Sequence, residues 1–197
     1  MQETRVGEIE QLLEFVVEIE KLKAVLRKTR PVGLERRENS AEHSWHVCLT
    51  ALMFREYANE PVDIDRVIRM LLIHDLGEID AGDKIVYASE TAEQKAAEAA
   101  GVQRVLALVP GGRGEELFAL WQEFEAGETA ESRYARAIDR VPPLLHNLRG
   151  GGHAWKENKI PKEKVFALNS RIGDGSRELW QVIEEQLQGA VASGLLE

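Results

Sequence analysis

Apolar residues recur at steps of three and four along most of the chain, a spacing that places them on one face of an α-helix. The first such stripe runs from Ile9 to Leu26, and Pro31 and Gly33 end it, which predicts a long first helix. No segment of comparable length alternates with a period of two. The pattern therefore predicts an all-α fold, a helical bundle with little or no sheet.

Capping residues and helix breakers divide the rest of the chain into further helices. Capping-box patterns begin at Asn39 and Thr91. Further helices are expected from Asn39, from Asp63 or Asp65 through VIRMLLIHDLGEI to Gly82, from Thr91 to about Val109, over about 115–125, after Thr129, around 161–170 and over 174–188. Pro142 and Pro143 should kink or break the helix that begins after Thr129. The segment 81–89 has no clear period and is expected to form a loop.

The chain has 197 residues, enough for one domain with a sizeable core. We expect a single domain over 1–197, with its core motifs at about 36–146 and C-terminal helices at 161–190 packed on them. No run of about 18 apolar residues predicts a membrane span, and the acidic N-terminus does not resemble a signal peptide. Cys48 is the only cysteine, which excludes an internal disulfide. We therefore expect a cytoplasmic protein.

The formal net charge of −9 argues against binding to nucleic acid or to an anionic membrane. It leaves open a small phosphorylated substrate, because a metal ion and a few arginines can make one pocket positive in an acidic protein.

The strongest chemical signal is the pair His74-Asp75 inside the apolar run MLLIHDLGEI. A buried carboxylate needs a cation, a metal ion or several hydrogen bonds. Imidazole nitrogen and carboxylate oxygen together suit a divalent ion such as Mn, Fe, Co, Ni or Zn. The alternative is an aspartate at a helix end beside a hydrogen-bonded histidine, and for the dipeptide alone this alternative is the more common one.

His43 and Asp139 change this balance. His43 lies in the first turn of the expected second helix, and Asp139 lies in the apolar helical pattern ARAIDRV. Together with His74 and Asp75 they supply four ligands from three helices. Each residue could instead have a structural role without a metal. His43 could be a surface or core histidine, and Asp139 could form an ion pair with Arg136 or Arg140.

With these residues in place, the chain resembles the HD-domain superfamily of metal-dependent phosphohydrolases, and in particular bacterial 5′-deoxynucleotidases. The resemblance rests on RRENSAEHSW, LLIHDLGEIDAGD and ELFALWQEFEAGETAESRYARAIDR, and it covers about 9–146. The metal-ligand positions match residue by residue at His43, His74, Asp75 and Asp139. The resemblance implies an all-α fold, a homodimer and one divalent ion, often manganese or cobalt, with iron, nickel, zinc or magnesium as other choices.

The same resemblance implies roles for two further carboxylates. Glu78 follows His74 by four residues, which on a continuous helix would place both on one face. The resemblance implies that Glu78 is the general acid or base, whereas a capping or salt-bridging glutamate is the structural alternative. Asp83 matches a position that contacts the substrate sugar. The following residues KIVYAS depart from the family block, which leaves deoxyribose selectivity open.

The phosphate contacts are less well defined. Arg36 aligns with the family arginine near the phosphate, and a solvated basic loop is its alternative. The nucleotidases also carry an arginine–tryptophan pair upstream, whereas this chain reads KTRPVGLE and has no tryptophan there. Arg30 is the candidate substrate contact in that stretch. His46 follows His43 by three residues and could line the pocket, and His146 follows Asp139 by seven, where a core or surface role is the more common one.

The sequence thus predicts a metal-dependent phosphomonoesterase that hydrolyses (deoxy)nucleoside 5′-monophosphates to nucleoside and phosphate. Two alternatives stay open at this point. One is an HD hydrolase with another nucleotide or small phosphoester as its substrate. The other is a metal-stabilised binding protein without activity, for which altered ligands or a missing Glu78 would be expected.

Overall fold

The protein was described from a computed structural model over residues 2–87 and 91–197, with side chains from residue 5 onward. Regular structure in these ranges is helical, apart from one isolated antiparallel bridge between Leu26 and Asn39, which confirms the all-α prediction. The α-helices are α1 Gln2–Ile19, α2 Ser40–Phe54, α3 Ile64–Ile73, α4 Glu78–Ala81, α5 Ala92–Leu106, α6 Arg113–Ala126, α7 Ala130–Asp139, α8 Val141–Arg149, α9 His153–Glu157, α10 Lys162–Asn169, α11 Ile172–Gly175 and α12 Arg177–Ala192. Short 3₁₀ segments follow α1 at Glu20–Ala24 and α2 at Arg55–Tyr57.

The centre of the bundle is formed by α2, α3 and α7, which pack against one another. Val47 of α2, Met70 of α3 and Ile138 of α7 are completely buried there. Tyr134 of α7 is also buried, and its hydroxyl donates a hydrogen bond to the carbonyl of Ala51 at 2.8 Å. Because a buried phenol needs such a partner, this bond fixes α7 against α2.

The predicted helix starts are confirmed where capping residues were read from the sequence. The Asn39 side chain accepts from the amide of Glu42, whose carboxylate accepts from the Asn39 amide. Thr91 and Gln94 form the same reciprocal arrangement at the start of α5. Asp63, rather than Asp65, caps α3. Each cap satisfies amides that a helix leaves unpaired in its first turn.

The structure corrects two predicted helices. The long first helix ends as an α-helix at Ile19 and continues only as 3₁₀ turns. The third helix does not run through to Gly82, because α3 ends at Ile73. Residues 74–77 wind more tightly, with amides of Leu76 and Glu78 bonded three residues back to the carbonyls of Ile73 and Asp75. Apolar periodicity does not distinguish such tight turns from an α-helix.

The C-terminal part completes the bundle. α7 ends at Asp139, and Pro142 and Pro143 occupy the first turn of α8, where their missing amides cost nothing, so the predicted break is confirmed. The short α9 was not predicted. α12 packs on α8 and α10, and one continuous apolar core extends from Leu22 to Leu196. Of the predicted loop 81–89, Ala81 is the last residue of α4, residues 82–87 lie outside regular structure, and Ala88 and Ser89 lie outside the described residues.

One apolar stripe remains on the outside of the chain. In α1, the side chains of Ile9, Leu13 and Val16 are more than half exposed, although their spacing is that of a buried face. α2 also exposes Trp45 and Met53. These surfaces are compatible with the expected homodimer, which stays a prediction. In the described ranges, no helix combines the length and apolarity needed to cross a membrane.

Candidate metal centre

Four side chains from three parts of the bundle converge at one point. His43 comes from α2, His74 and Asp75 from the turn after α3, and Asp139 from the last residue of α7. Nε2 of His43 lies 2.8 Å from Oδ1 of Asp139, and Nε2 of His74 lies 3.4 Å from that oxygen. Nε2 of His74 is also 3.1 Å from Oδ1 of Asp75. The structure therefore brings together the four residues that the sequence suggests as metal ligands, and their binding of an ion stays a prediction.

The hydrogen bond of His74 defines which ring nitrogen faces this point. Nδ1 lies 2.8 Å from the carbonyl oxygen of Leu71, so Nδ1 carries the proton and donates it. Nε2 is buried and has no hydrogen-bond partner among the described residues. A buried imidazole lone pair aimed at two carboxylates is an arrangement that a cation would satisfy.

The donor set fits a divalent transition-metal ion. Ligands about 2.1 Å from an ion in tetrahedral or octahedral geometry lie roughly 3 Å apart, and the three separations above are close to that value. Burial alone would lower the pKa of His74, but the negative Asp75 and Asp139 outweigh it and raise the pKa to about 9. Burial would raise the pKa of Asp139, yet the neighbouring His43 and His74 hold it well below the usual range. The site thus favours positive charge, whether a proton or a metal ion.

Neighbouring groups fix the turn that carries His74 and Asp75. The indole nitrogen of Trp121 in α6 donates to the carbonyl oxygen of His74 at 3.1 Å. Gly77 lets this turn approach α5 closely, since a Cβ atom there would lie 2.6 Å from the carbonyl oxygen of Glu98. Any other residue at position 77 would therefore displace Glu78 and the turn from α5.

Glu38 lies behind His43 and was not nominated from the sequence. Its Oε2 is 3.5 Å from Nδ1 of His43, and only 2% of the residue is exposed. Burial raises the pKa of Glu38, but His43, His146 and Arg27 more than offset it, so the pKa is lowered overall. A carboxylate behind a histidine ligand orients the ring toward a metal ion. The sequence offered one indication of this role: Glu38 directly precedes the N-cap Asn39, in the same motif RRENSAEHSW that contains His43.

Glu78 is a buried carboxyl group beside the four ligands. Oγ of Ser40 donates a hydrogen bond to its Oε2 at 2.5 Å. Burial and the negative charge of Asp75 raise the pKa of Glu78 to about 9, although Arg27 acts in the opposite direction. This environment therefore favours the protonated form of Glu78, the form from which a group can donate a proton.

Arg27 is the functional candidate that sequence reasoning missed. Its Nη1 lies 2.7 Å from Oδ2 of Asp75, 3.8 Å from Oδ1 of Asp83 and 3.9 Å from Oε1 of Glu78. Burial lowers its pKa, but these carboxylates more than compensate and raise the pKa above its usual range. Its position at the end of the first apolar stripe is typical of a cation at a helix terminus. It did not indicate a role in the site, because its partners are distant in sequence.

The other sequence candidates are placed differently. Asp83 lies at the site, beside Arg27. Arg36 is exposed, and its guanidinium is held by both oxygens of Glu42, at 2.5 and 2.8 Å. It lines a separate cavity of about 620 Å³, which Arg30 does not line. Arg30 is also absent from the smaller cavity described next. Substrate contacts by Arg36 and Arg30 stay predictions.

The cavity next to the four ligands is small and basic. It has a volume of about 70 Å³, and Asp139 and Asp83 form part of its wall. Four cationic side chains also line it: Arg27, Lys28, Lys84 and Arg140. In a chain of net charge −9, this concentration of cations beside a metal-ligand set favours a small anion.

Comparison with known families agrees with this geometry. The model of the HD domain family matches residues 19–180, a range that contains all four ligand candidates and Glu78. The chain belongs to the HD domain family. A crystal structure of a predicted metal-dependent phosphohydrolase from Magnetospirillum magnetotacticum is similar to this HD domain, with a TM-score of 0.90 and 44% identity over 96% of this chain and 98% of that one.

Two curated relatives extend the comparison. The 5′-deoxynucleotidase HDDC2 of Dictyostelium discoideum is 29% identical over 185 residues, which cover 89% of this HD domain and 96% of the relative. The Bos taurus protein of the same name is 26% identical over 177 residues, 88% of this chain and 83% of that one. Both relatives are thus matched over most of their length.

Proposed function

We propose that this HD domain is a divalent-metal-dependent phosphohydrolase that cleaves a phosphomonoester, most specifically a (deoxy)nucleoside 5′-monophosphate. One observation carries the proposal. Four imidazole and carboxylate donors converge beside Glu78, a buried carboxyl group whose pKa is raised, and one of the donors, Asp139, lines a cavity rich in cations. A metal site, a proton donor and an anion pocket are the parts that hydrolysis of a phosphate ester requires.

The chemistry divides between the ion and the protein. A divalent ion held by His43, His74, Asp75 and Asp139 would supply Lewis-acid activation of water and neutralise charge on the phosphate. Glu78 holds the proton that the leaving alkoxide needs when the P–O bond breaks, and its carboxylate can then accept a proton from water. The hydroxyl of Ser40 keeps that carboxyl group oriented.

Arg27 is better placed than Arg36 to bind the phosphate. Its guanidinium lines the small cavity, whereas both terminal nitrogens of Arg36 contact Glu42. Guanidinium groups bind phosphate oxygens through charge-assisted hydrogen bonds, and the neighbouring Lys28 adds a second positive charge. Together they would offset the charge of a phosphate next to Asp83 and Asp139.

The nucleotide assignment is supported by the relatives named 5′-deoxynucleotidase, at 26 and 29% identity. Asp83 is the group that would contact the sugar, since it lines the same cavity as Arg27. The same metal and the same proton donor could also hydrolyse another small phosphoester, so the choice of substrate needs a direct test.

The test is a release assay for inorganic phosphate with Mn²⁺ or Co²⁺. A panel of four deoxynucleoside and four ribonucleoside 5′-monophosphates is compared with glucose 6-phosphate and p-nitrophenyl phosphate. We expect the wild-type protein to hydrolyse the nucleotides and the His74→Ala variant to lose this activity. Turnover restricted to the non-nucleotide esters would overturn the nucleotide assignment, and no turnover of any ester with a loaded metal site would overturn the phosphomonoesterase proposal.

A further inference from the structure

A second group of metal-binding side chains lies next to the first site but shares no residue with its four ligands. Glu38, His46 and His146 each place one donor atom within 4.8 Å of the others. Glu38 precedes α2, His46 lies on α2, and His146 lies on α8. Three separate positions in the chain thus converge on one point.

The contacts show that two of these groups are inside the protein. Glu38 and His146 are 2% and 6% exposed, and Nδ1 of His146 lies 3.8 Å from Oε2 of Glu38. The ring of His46 is half-buried, and its centroid lies 6.0 Å from that of His146. The same Oε2 also lies 3.5 Å from Nδ1 of His43 and 3.5 Å from Nε of Arg27, and a carboxylate oxygen can interact with more than one neighbour.

The imidazoles are chemically suited to bind an ion. Burial lowers the pKa of His146, which favours the neutral ring with its nitrogen lone pair. Nδ1 of His146 is 3.3 Å from the hydroxyl of Thr29, which can either donate or accept. Among the described residues, no hydrogen bond involves the imidazole of His46. Two imidazoles and one carboxylate favour zinc, cobalt, nickel or iron over magnesium or calcium.

The surroundings leave room for further ligands. His46 and His146 line the cavity of about 620 Å³, together with Glu38 and Trp45. Three protein ligands with an open position toward a cavity are the arrangement of an accessible metal site, in which water or a ligand atom completes the coordination.

We propose that Glu38, His46 and His146 bind a second divalent transition-metal ion, on the opposite side of the His43 ring from the first site. The imidazole of His43 lies between the two, because Nδ1 faces Glu38 and Nε2 faces Asp139. This second site extends beyond the hydrolytic function proposed above and does not depend on it.

The experiment uses the full chain, stripped with chelator and reloaded with Zn²⁺. After removal of free ion, zinc per chain is measured by inductively coupled plasma mass spectrometry, and ions are located by anomalous scattering in zinc-soaked crystals. We expect a peak bounded by Glu38, His46 and His146 in addition to the one at His74. His46→Ala and His146→Ala should each lower the zinc content by about one ion per chain and remove only that peak.

Two variants separate this result from failure of the first site. His74→Ala should lose the first peak and retain the second. His153→Ala, on the exposed surface of α9, is the control for loss of any histidine, and it should have the zinc content and both peaks of the wild type. Since His146 is buried, His46→Ala is the variant less subject to misfolding, and circular dichroism checks both. Absence of a peak at the cluster in wild-type crystals, or unchanged zinc content in folded His46→Ala, would overturn the second site.

Discussion

Nη1 of Arg27 lies 2.7 Å from Oδ2 of Asp75, so a residue just after the first helical segments is tied to the turn that carries two metal-ligand candidates. The same guanidinium faces Glu38, Glu78 and Asp83 at 3.5 to 3.9 Å. One buried cation therefore balances several carboxylates and still lines the small cavity. A phosphate in that cavity would therefore have a guanidinium beside it to offset the charge of Asp83 and Asp139, which line the same wall.

Replacement of Arg27 tests this relationship directly. Arg27→Ala should lower kcat/KM for the best nucleotide about 10- to 100-fold, since a charge-assisted hydrogen bond contributes about 1.5–3 kcal/mol. Arg27→Lys keeps the charge without the planar fork and should recover part of the loss. The matched control is Arg133→Ala, which removes a surface pair with Glu60. Equal kcat/KM in Arg27→Ala and the control would exclude the phosphate role.

Glu78 provides a separate test of proton transfer. Glu78→Gln keeps the size of the side chain and an oxygen for Ser40, but removes the exchangeable carboxyl proton. We expect kcat to fall about 100- to 10,000-fold, the usual contribution of a general acid or base. Metal content by mass spectrometry should stay at the wild-type value, as it should in the exposed control Glu185→Gln. A variant that retains more than about a tenth of wild-type kcat would show that another group moves the proton.

Removal of the metal should affect both activity and stability. Without an ion, Asp75 and Asp139 lose the cation that their geometry favours, so chelation should abolish phosphate release and lower Tm. An ion at 100 times its Kd stabilises the fold by about 2.7 kcal/mol. For a chain of this length, that corresponds to a rise in Tm of roughly 5–10 °C on reloading with Mn²⁺ or Co²⁺.

The control for this experiment is His74→Ala, in which one ligand of the first site is missing. Its Tm should respond less to Mn²⁺ or Co²⁺ than that of the wild type, in the same differential scanning fluorimetry assay. An equal response in the two proteins would mean that the stabilising ion binds elsewhere.

Local features were predictable from the sequence because their causes are local. The caps at Asn39 and Thr91 follow from side chain to backbone bonds over three residues. The prolines after Asp139 break the helix through their own rings. His74 and Asp75 were recognisable because an imidazole and a carboxylate are unusual in an apolar run.

The features that were missed depend on contacts between distant segments. Arg27 lies 48 positions from Asp75, and Glu38 acquires its role only when His43 and His146 pack against it. The end of α3 at Ile73 was missed for another reason. Trp121 and the close approach of Gly77 to α5 stabilise the tight turn, and neither is visible in the apolar period.

The contact between α11 and α7 gives a prediction for stability. A Cβ atom on Gly175 would lie 2.5 Å from the carbonyl oxygen of Arg133 and 2.8 Å from Cα of Tyr134, both backbone atoms of α7. Because backbone atoms of two helices meet here, Gly175→Ala should push α11 and α7 apart and lower the free energy of unfolding by about 1–3 kcal/mol. Urea denaturation monitored by circular dichroism measures this change.

Gly189 in α12 supplies the matched control, because a Cβ built there has no atom within 4 Å apart from its chain neighbours and the nearby backbone of its own helix. Gly189→Ala should be neutral or stabilise the fold by up to about 1 kcal/mol, since alanine favours a helix interior. Equal stabilities for the two alanine variants would contradict the close packing of α11 on α7.

Asp139 is the last residue of α7, so displacement of that helix should also weaken Mn²⁺ binding in Gly175→Ala but not in Gly189→Ala. The metal affinity thus shows whether the contact holds the site as well as the fold.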